Sequence, residues 1–295
     1  MRIQHNISAM NSYRNYTGNT NKLSKNLEKL SSGYKINRAG DDAAGLAISE
    51  KMRAQISGLS QAQNNVKDGI SLIKTAEGAL QEVQDMLNRM VTLATQSANG
   101  TYQNDVDRDA LQDEVDALAT EINRIGSTAN FNGQKLLDSS MASVTFQIGD
   151  SSDSTNTLNM EDALGGQSKF DLTSFVVGST GTAAGTAKKI DVSSSGAALT
   201  TLRALRGDGD AKNGLINQVS SYRGKLGAVQ NRLEHTQNNL SVMKENVQDA
   251  ESTIRDTDIA DEMTNYTKNN ILLQSAQAML AQANQMPQGV LQLLQ

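Results

Sequence analysis

Acidic residues alternate along one short stretch of this chain as they do at the start of a calcium-binding loop. Asp105, Asp107 and Asp109 have the spacing with which carboxylates converge on one cation. Such a loop also needs glycine at its sixth position and glutamate at its twelfth, where this chain has Ala110 and Asp116. We therefore interpret the run as the start of a helix, whose free amides favour acidic side chains, and predict no metal site.

Other residues that could do chemistry are few and scattered. The two histidines, His5 and His235, lack the H-E-x-x-H spacing of a zinc site, and there is no cysteine. The glycine motifs that bind phosphate or dinucleotides, or that present a nucleophilic serine, are absent from the sequence. Arg206-Gly207-Asp208 matches an integrin-binding tripeptide, but we interpret its glycine and aspartate as the start of a helix. We expect neither catalysis nor a cofactor.

The composition favours long helices over a compact aromatic core. Of the 295 residues 3% are aromatic, none is Trp and only Pro287 is proline. The net charge of -5 argues against nucleic acid as a partner. The first ten residues are polar and contain no apolar stretch with a cleavage site, so any export is expected to proceed without a cleaved signal peptide.

Both ends of the chain carry apolar residues at alternating spacings of four and three, the repeat of a coiled coil. The N-terminal set is Ala9, Tyr13, Tyr16, Thr20, Leu23, Leu27, Leu30 and Tyr34. The C-terminal set is Leu272, Ala276, Met279, Ala283, Met286, Val290 and Leu293. Residues 1–50 are net basic and residues 251–295 net acidic, which favours their association. The two terminal seams are predicted to pair with each other and with other copies of the chain.

Two further apolar patterns predict helices in the first half of the chain. After breaks at Ser31-Ser32-Gly33 and at residues 40–45, a long helix is expected to end at Asn99-Gly100 in a left-handed cap. It carries two adjacent stripes, Val66, Ile70, Ile73, Leu80, Leu87 and Val91 with Leu72, Ala76, Ala79, Val83, Met86, Met90 and Leu93. The next helix repeats Leu111, Val115, Leu118, Ile122 and Ile125.

The second half begins with a strand and returns as one long helix. Val144, Phe146 and Ile148 alternate as in a strand, whereas residues 149–198 are rich in Ser, Thr and Gly and are expected to face solvent. Weak strand candidates lie at 175–177 and 190–192. The strongest repeat is Val219, Tyr222, Leu226, Val229, Leu233, Thr236, Leu240, Met243, Val247, Ala250 and Ile254. These patterns predict a mainly α fold, a long antiparallel helical bundle that brings the paired terminal helices together.

The last 27 residues, from Asn269 to Gln295, contain no charged side chain. A membrane-spanning helix is excluded because one face carries four glutamines, which would be costly in lipid. These are Gln274, Gln285, Gln288 and Gln292. An uncharged polar face suits a water-filled lumen through which other chains slide, and the alternative is an ordinary solvated helix end.

Three segments resemble bacterial flagellin. The stretch Ser31-Ser32-Gly33-Tyr34-Lys35-Ile36-Asn37-Arg38-Ala39-Gly40-Asp41-Asp42-Ala43-Ala44-Gly45-Leu46-Ala47-Ile48 looks like the N-terminal signature of that family. Residues 254–260 and 278–288 are similar to its C-terminal region, and residues 131–137 to a turn after its second helix. The resemblance covers the chain except for about residues 150–200.

The resemblance implies a coiled-coil inner domain, a helical rod domain and a small β-hairpin region. Residues 1–45 and 251–295 would form the two halves of the inner domain. Residues 46–148, with the start of the β region, and 201–250 would form the two halves of the rod domain, and 149–200 a short variable surface region.

The resemblance also implies a function and a set of partners. The chain would be a structural subunit that is exported unfolded and polymerises into the extracellular bacterial flagellar filament for motility. Its partners would be further copies of itself, an export chaperone on the C-terminal helix, and the filament cap and hook-junction proteins. The alternative is a minor flagellar or hook–filament junction protein with similar ends.

One segment of the long helix is similar to the part of flagellin recognised by Toll-like receptor 5. By that resemblance Arg89 has the central role, with Leu93 beside it and Glu114 on the next helix. Asn88 and Gln96 complete the expected contact set. Val91 and Thr92 depart from the enteric-type motif. The alternative is that Arg89 is an ordinary solvated or intersubunit residue.

Overall fold

Helices form most of this computed structural model, which describes residues 6–103, 106–138, 144–151, 153–164, 190–207 and 214–293. The helices in these ranges are α1 (Ile7–Ser32), α2 (Ala43–Ala98), α3 (Asp107–Thr128), α4 (Met160–Ala163), α5 (Ser195–Arg206), α6 (Leu215–Arg255) and α7 (Ile259–Leu293). The predicted mainly α fold is confirmed. The weak strand candidate at 175–177 lies outside the described residues.

Two short antiparallel strand pairs interrupt the helices. β1 (Asn130–Phe131) pairs with β2 (Gln134–Lys135), and β3 (Thr145–Gln147) pairs with β4 (Thr157–Asn159). The loop of the first pair has positive φ at Asn132 and Gly133, 50° and 81°, as a type I′ hairpin turn requires. The strand predicted from the alternation around Phe146 is confirmed as β3.

The chain divides into two compact units. The terminal unit combines Met1–Ser57 with Lys244–Gln295, and the central unit is Gly58–Met243. The central unit contains the main hydrophobic core, to which α2, α3, α5 and α6 contribute buried side chains. Fully buried examples are Ile73, Leu80, Met90, Leu93, Leu136, Leu137, Met160, Leu164, Leu205 and Leu226.

The low-complexity stretch is more deeply packed at its ends than its composition predicts. Leu158 and Leu164 on one side, and Ile190 and Val192 on the other, are at most 3% exposed. Residues 190–192 are not a strand: the Val192 amide donates to the Gln112 side chain at 2.6 Å, and the Gln112 amide donates to the Ile190 carbonyl. A glutamine side chain thus replaces the partner strand that the prediction assumed.

Helix α5 is not among the predicted helices, because its apolar residues are spread among Ser, Thr and Gly. The Ser194 side chain caps its start by accepting a hydrogen bond from the Ala197 amide, and Gly207, with φ of 82°, ends it. Gly207 therefore terminates a helix and does not start the next one as predicted, and Asp208 lies outside the described residues. Ala198, Thr201, Ala204 and Leu205 form its buried face.

The long helix α2 ends before Asn99 as predicted, but it does not end in the predicted left-handed cap. Gly100 has no positive φ, whereas Gly33 at the end of α1 does, at 76°. The buried guanidinium of Arg108 instead donates to the carbonyls of Ser97, at 3.0 Å, and Asn99, at 2.9 Å. A side chain that satisfies the last carbonyls makes a left-handed cap unnecessary.

Candidate functional site

Helices α1 and α7 pack against each other in the terminal unit. The side-chain amide of Asn6 donates to the Ala283 carbonyl at 2.8 Å, and Lys29 Nζ lies 3.9 Å from Glu262 Oε2. The start of one helix therefore meets the end of the other, so the pair is antiparallel. This pairing of the chain ends is the one that the terminal seams predict.

A regularly spaced set of buried and half-buried residues on the two helices defines an inner seam. On α1 they are Ala9, Ser12, Tyr16, Asn19, Leu23, Asn26 and Leu30, and on α7 they are Glu262, Tyr266, Asn269, Leu273, Ala276, Leu280 and Ala283. Both sets keep alternating spacings of three and four, as coiled-coil contacts do. Four members on α1 and two on α7 belong to the predicted seams.

The inner seam is polar where the C-terminal end of α1 meets the N-terminal end of α7. Asn26 and Glu262 are each 8% exposed. In the amide orientation that satisfies its neighbours, Asn26 donates to the Glu262 carboxylate at 3.1 Å and accepts from the Asn269 amide at 3.1 Å. A buried asparagine in a coiled coil sets register at some cost in stability, so this cluster specifies how α1 and α7 align.

Four other residues of the predicted seams are exposed, and we call these four the outer seam. Tyr13 is 61% exposed, Leu27 48%, Leu272 42% and Met279 62%. The terminal seams are predicted to pair both within the chain and with other copies; these four residues remain exposed, and on α7 Leu273 and Leu280 fill the inner positions beside Leu272 and Met279. Met286, Val290 and Leu293 belong to the predicted seam, but their side chains lie outside the described set.

A backbone bridge joins the two loops of the terminal unit. Tyr34 and Asp256 form an isolated antiparallel bridge, in which the Lys35 amide donates to the Arg255 carbonyl at 2.6 Å. The Arg255 guanidinium lies 4.8 Å from the centroid of the Tyr34 ring and donates to Glu50 at 2.6 Å. Tyr34 was predicted to continue the N-terminal seam, but it holds this bridge instead.

The acidic pair between α1 and α2 explains the turn that the sequence predicts there. The Asp42 carboxylate accepts hydrogen bonds from the amides of Ala44 and Gly45, which caps the start of α2. A Cβ atom on Gly45 would lie 2.5 Å from Asp42 Oδ2 and 2.8 Å from Ile36 Cδ1, so any larger residue would displace these side chains. The hydrogen bond from the Arg38 amide lowers the pKa of the Asp41 carboxyl, and the Asn37 amide and the charges of Lys25 and Lys29 lower it further.

The residues similar to the receptor-recognised segment divide between surface and core. Arg89 on α2 pairs with Glu114 on α3, with Nη2 2.7 Å from Oε1, so the structure brings these two residues together. Asn88 and Gln96 are exposed, and Gln96 donates to the Tyr102 hydroxyl. Leu93 is only 1% exposed, so it does not share the surface edge of Arg89 as predicted. It belongs to the apolar stripe of α2 that packs into the core of the central unit.

The glutamine face is only partly described. Gln274 and Gln285 are exposed on α7, whereas the side chains of Gln288 and Gln292 lie outside the described set. Within the described ranges, no helix is both long enough and apolar enough to cross a bilayer.

The acidic run begins a helix, as the sequence predicts. Asp107 and Asp109 lie in the first turn of α3, and Asp107 accepts from the Gln103 amide at 3.1 Å. Asp105 and His5 are outside the described residues, and His235 is exposed on α6. Among the residues that the structure describes, no group of three potential metal ligands comes together.

Comparisons with known proteins match both halves of the chain. The family model of the bacterial flagellin N-terminal helical region matches residues 3–142, and that of the C-terminal helical region matches residues 210–294. The chain is 48% identical to a flagellin of Bacillus subtilis and 50% identical to one of Halalkalibacterium halodurans, over the whole of each chain. It is 47% identical, again over both whole chains, to the flagellar filament 31.3 kDa core protein of Treponema maltophilum.

Proposed function

Because the chain belongs to the bacterial flagellin family and is a structural subunit of the flagellar filament, we propose that the outer seam is the surface through which its terminal helices bind neighbouring copies. The supporting observation is the exposure of Tyr13, Leu27, Leu272 and Met279 in an isolated chain. Tyr13 and Leu27 on α1, and Leu272 and Met279 on α7, are separated by multiples of seven residues, so each pair shares one face of its helix. Exposed apolar surface of this kind marks an interaction site.

The two seams differ in composition, and this difference supports the assignment. The inner seam contains Asn26 and Glu262, so pairing within the chain includes polar side chains, while the large apolar side chains of the outer seam remain available. Fully burying an exposed apolar side chain contributes roughly 1.5–3 kcal/mol, and side chains that are 42–62% exposed would gain about half of that each. Four per subunit, repeated along a filament, give a substantial driving force for assembly.

Export is the second part of the proposal. The chain would leave the cell unfolded through the flagellar channel, be held beforehand by a chaperone on its C-terminal helix, and assemble beneath a filament cap onto hook-junction proteins. The absence of cysteine suits this route, since no disulfide needs to form or break along it. The glutamines at 274, 285, 288 and 292 would line the lumen, where an uncharged face lets later subunits pass without electrostatic capture.

The third part concerns an animal receptor. We place the contact with Toll-like receptor 5 on the exposed side of α2 and α3, centred on Arg89 and its partner Glu114, with Asn88 and Gln96 at its edge. The ion pair holds the arginine in one orientation before binding, which lowers the entropy lost in the complex. Leu93 is excluded from direct contact because it is buried.

The outer-seam assignment is tested with the double variant Leu272→Gln with Met279→Gln. Neither residue is part of the inner seam, so the monomer should keep its helix content by circular dichroism. Its critical concentration for filament formation should rise by at least about tenfold, which corresponds to roughly 1.4 kcal/mol. Light scattering and electron microscopy provide the readout.

Leu199→Gln is the matched control. Leu199 is 50% exposed on α5, so this variant removes a comparable apolar side chain from the central unit. It should assemble at the wild-type concentration. Normal filaments from the double variant would contradict the proposal.

A further inference from the structure

The methionine side chains that the structure describes range from exposed to fully buried. Met10, Met263 and Met279, all in the terminal unit, are 55%, 48% and 62% exposed. Met90 and Met160, in the core of the central unit, are fully buried. Met243, the last residue of the central unit, is 45% exposed on α6, so three of the four exposed methionines among the described residues lie on the helices that pair at the chain ends.

The composition makes these thioethers the natural targets of an oxidant. The sequence has eleven methionines but neither cysteine nor tryptophan, so no thiol or indole competes for an electrophilic oxidant. Reactivity of a methionine follows its accessibility, since the oxidant must reach the sulfur. We propose that Met10, Met263 and Met279 are sites of reversible oxidation by peroxides and that their oxidation blocks assembly of the chain. The effect on assembly rests on the proposed function of the outer seam, whereas the order of oxidation does not.

The chemistry is a two-electron oxygen transfer. The sulfur lone pair attacks the terminal oxygen of hydrogen peroxide, a sulfur–oxygen bond forms, and the oxygen–oxygen bond breaks. The departing hydroxide takes up the remaining proton and leaves as water. The thioether is oxidised to a sulfoxide and the peroxide is reduced, and methionine sulfoxide reductases can reverse the change.

The positions of Met263 and Met279 determine the consequence. Met279 belongs to the outer seam together with Leu272, and Met263 lies between the exposed Ile259 and Ile271 at spacings of four and eight on α7. A sulfoxide adds a strong acceptor to these apolar rows, and burying an unpaired acceptor between subunits is unfavourable.

The pairing within the chain should escape this damage. The inner seam contains no methionine, being formed on α7 by Glu262, Tyr266, Asn269, Leu273, Ala276, Leu280 and Ala283. An oxidised monomer should therefore remain folded while losing its ability to join a filament. A general loss of structure would give a different signature.

The experiment treats the full-length monomer with hydrogen peroxide and follows each methionine by peptide mass spectrometry. Sulfoxide should accumulate at Met10, Met263 and Met279 before it appears at Met90 or Met160. The treated monomer should keep its circular dichroism spectrum and lose filament formation, and reductases for both sulfoxide epimers should restore it. Oxidation of Met90 and Met160 at the same rate as the exposed three would overturn the site assignment.

A triple variant, Met10→Leu with Met263→Leu and Met279→Leu, is the matched control. Leucine keeps the apolar volume but cannot be oxidised, so this variant should assemble after peroxide treatment. Loss of its assembly under peroxide, or normal assembly of oxidised wild type, would overturn the inference. Failure of the double variant Leu272→Gln with Met279→Gln to impair assembly would instead count against the outer seam itself, so the two failures can be told apart.

Discussion

The guanidinium of Arg108 donates from Nε to the carbonyl of Ser97 at 3.0 Å and thereby ties the start of α3 to the end of α2. Ser97 is itself fully buried and donates to the Val192 carbonyl at 2.5 Å. One arginine therefore connects two helices of the central unit, and the serine connects them to the segment before α5.

Replacing Arg108 should destabilise the central unit. Arg108→Met keeps an unbranched apolar stem but leaves the carbonyls of Ser97 and Asn99 without this donor, which should lower the free energy of unfolding by about 1–3 kcal/mol. Denaturant titration measures the loss. Arg124→Met is the control, since Arg124 pairs with Glu121 on the exposed side of α3 and should change stability by less than about 1 kcal/mol. Equal effects of the two substitutions would contradict the role of Arg108.

Replacing Asn26 should relax the alignment of α1 with α7. Asn26→Leu removes the polar contact with Glu262 and adds apolar surface to the inner seam, so alternative registers and oligomers become accessible. Size-exclusion chromatography should show mixed species in place of one monomer. Asn11→Leu adds the same side chain at an exposed position of α1 and should leave a single species. A uniform monomer from Asn26→Leu would show that other contacts set the register.

The central unit should lose stability at high pH through Tyr222. Burial raises the pKa of Tyr222 from 10 to about 12, and the side chain is 5% exposed. The unfolded chain releases this proton near pH 10 while the folded chain retains it, so the stabilisation is complete below pH 10 and is lost as pH rises to about 12. The loss should approach roughly 2–3 kcal/mol.

Tyr222→Phe tests this assignment because it removes the phenol while keeping the ring. Its free energy of unfolding should fall less steeply than that of the wild type between pH 10 and 12. Parallel curves for the two proteins would refute the contribution of Tyr222.

Loss of Arg89 should weaken binding to the receptor ectodomain. Arg89→Ala removes the exposed guanidinium at the centre of the proposed contact, and truncating such an arginine costs on the order of 2 kcal/mol in many interfaces. Titration of the monomer should show at least roughly tenfold weaker binding, and assembled filaments should bind poorly. Arg124→Ala, on the same helix as Glu114, should bind like the wild type. Equal curves for Arg89→Ala and wild type would refute the assignment.

Charge on the glutamine face should impair growth of the filament. Replacing Gln285, Gln288 and Gln292 with Glu would add repeated negative charges along the proposed lumen, which would hinder the passage of later subunits. Cells expressing a triple variant that assembles normally in vitro should carry shorter filaments by electron microscopy. Wild-type filament length would exclude this lining.

The long helices were predictable because their apolar periodicity is long and regular. Val219, Leu226 and Leu233 fall on one face of α6 and are all buried, as their spacing indicates. The choice between neighbouring seams was not predictable, because Leu272 and Leu273, like Met279 and Leu280, are adjacent apolar residues. Either member could face α1, and only the packed structure distinguishes them.

Part of the candidate site required tertiary information for a similar reason. The pairing of Arg89 with Glu114 depends on how α2 and α3 lie side by side, and the burial of Leu93 follows from the same packing. Gln112, which bonds residues 190–192, and Arg108 are polar residues with no local signal for their roles. The seam spacing revealed that the termini pair, but not which polar residues set that pairing.

Ala276 and Ala283 belong both to the inner seam and to the repeat that includes the exposed Leu272 and Met279. Each alanine therefore borders the contact with α1 and, in the proposed filament, the contact with a neighbouring copy, and its short side chain would set how closely either helix can approach. Enlarging one of them to Leu would push α7 away from both α1 and a neighbouring copy. Enlarging Leu272 or Met279 would disturb only the contact with the neighbouring copy. Mutational tolerance along α7 should consequently be lowest at its smallest side chains.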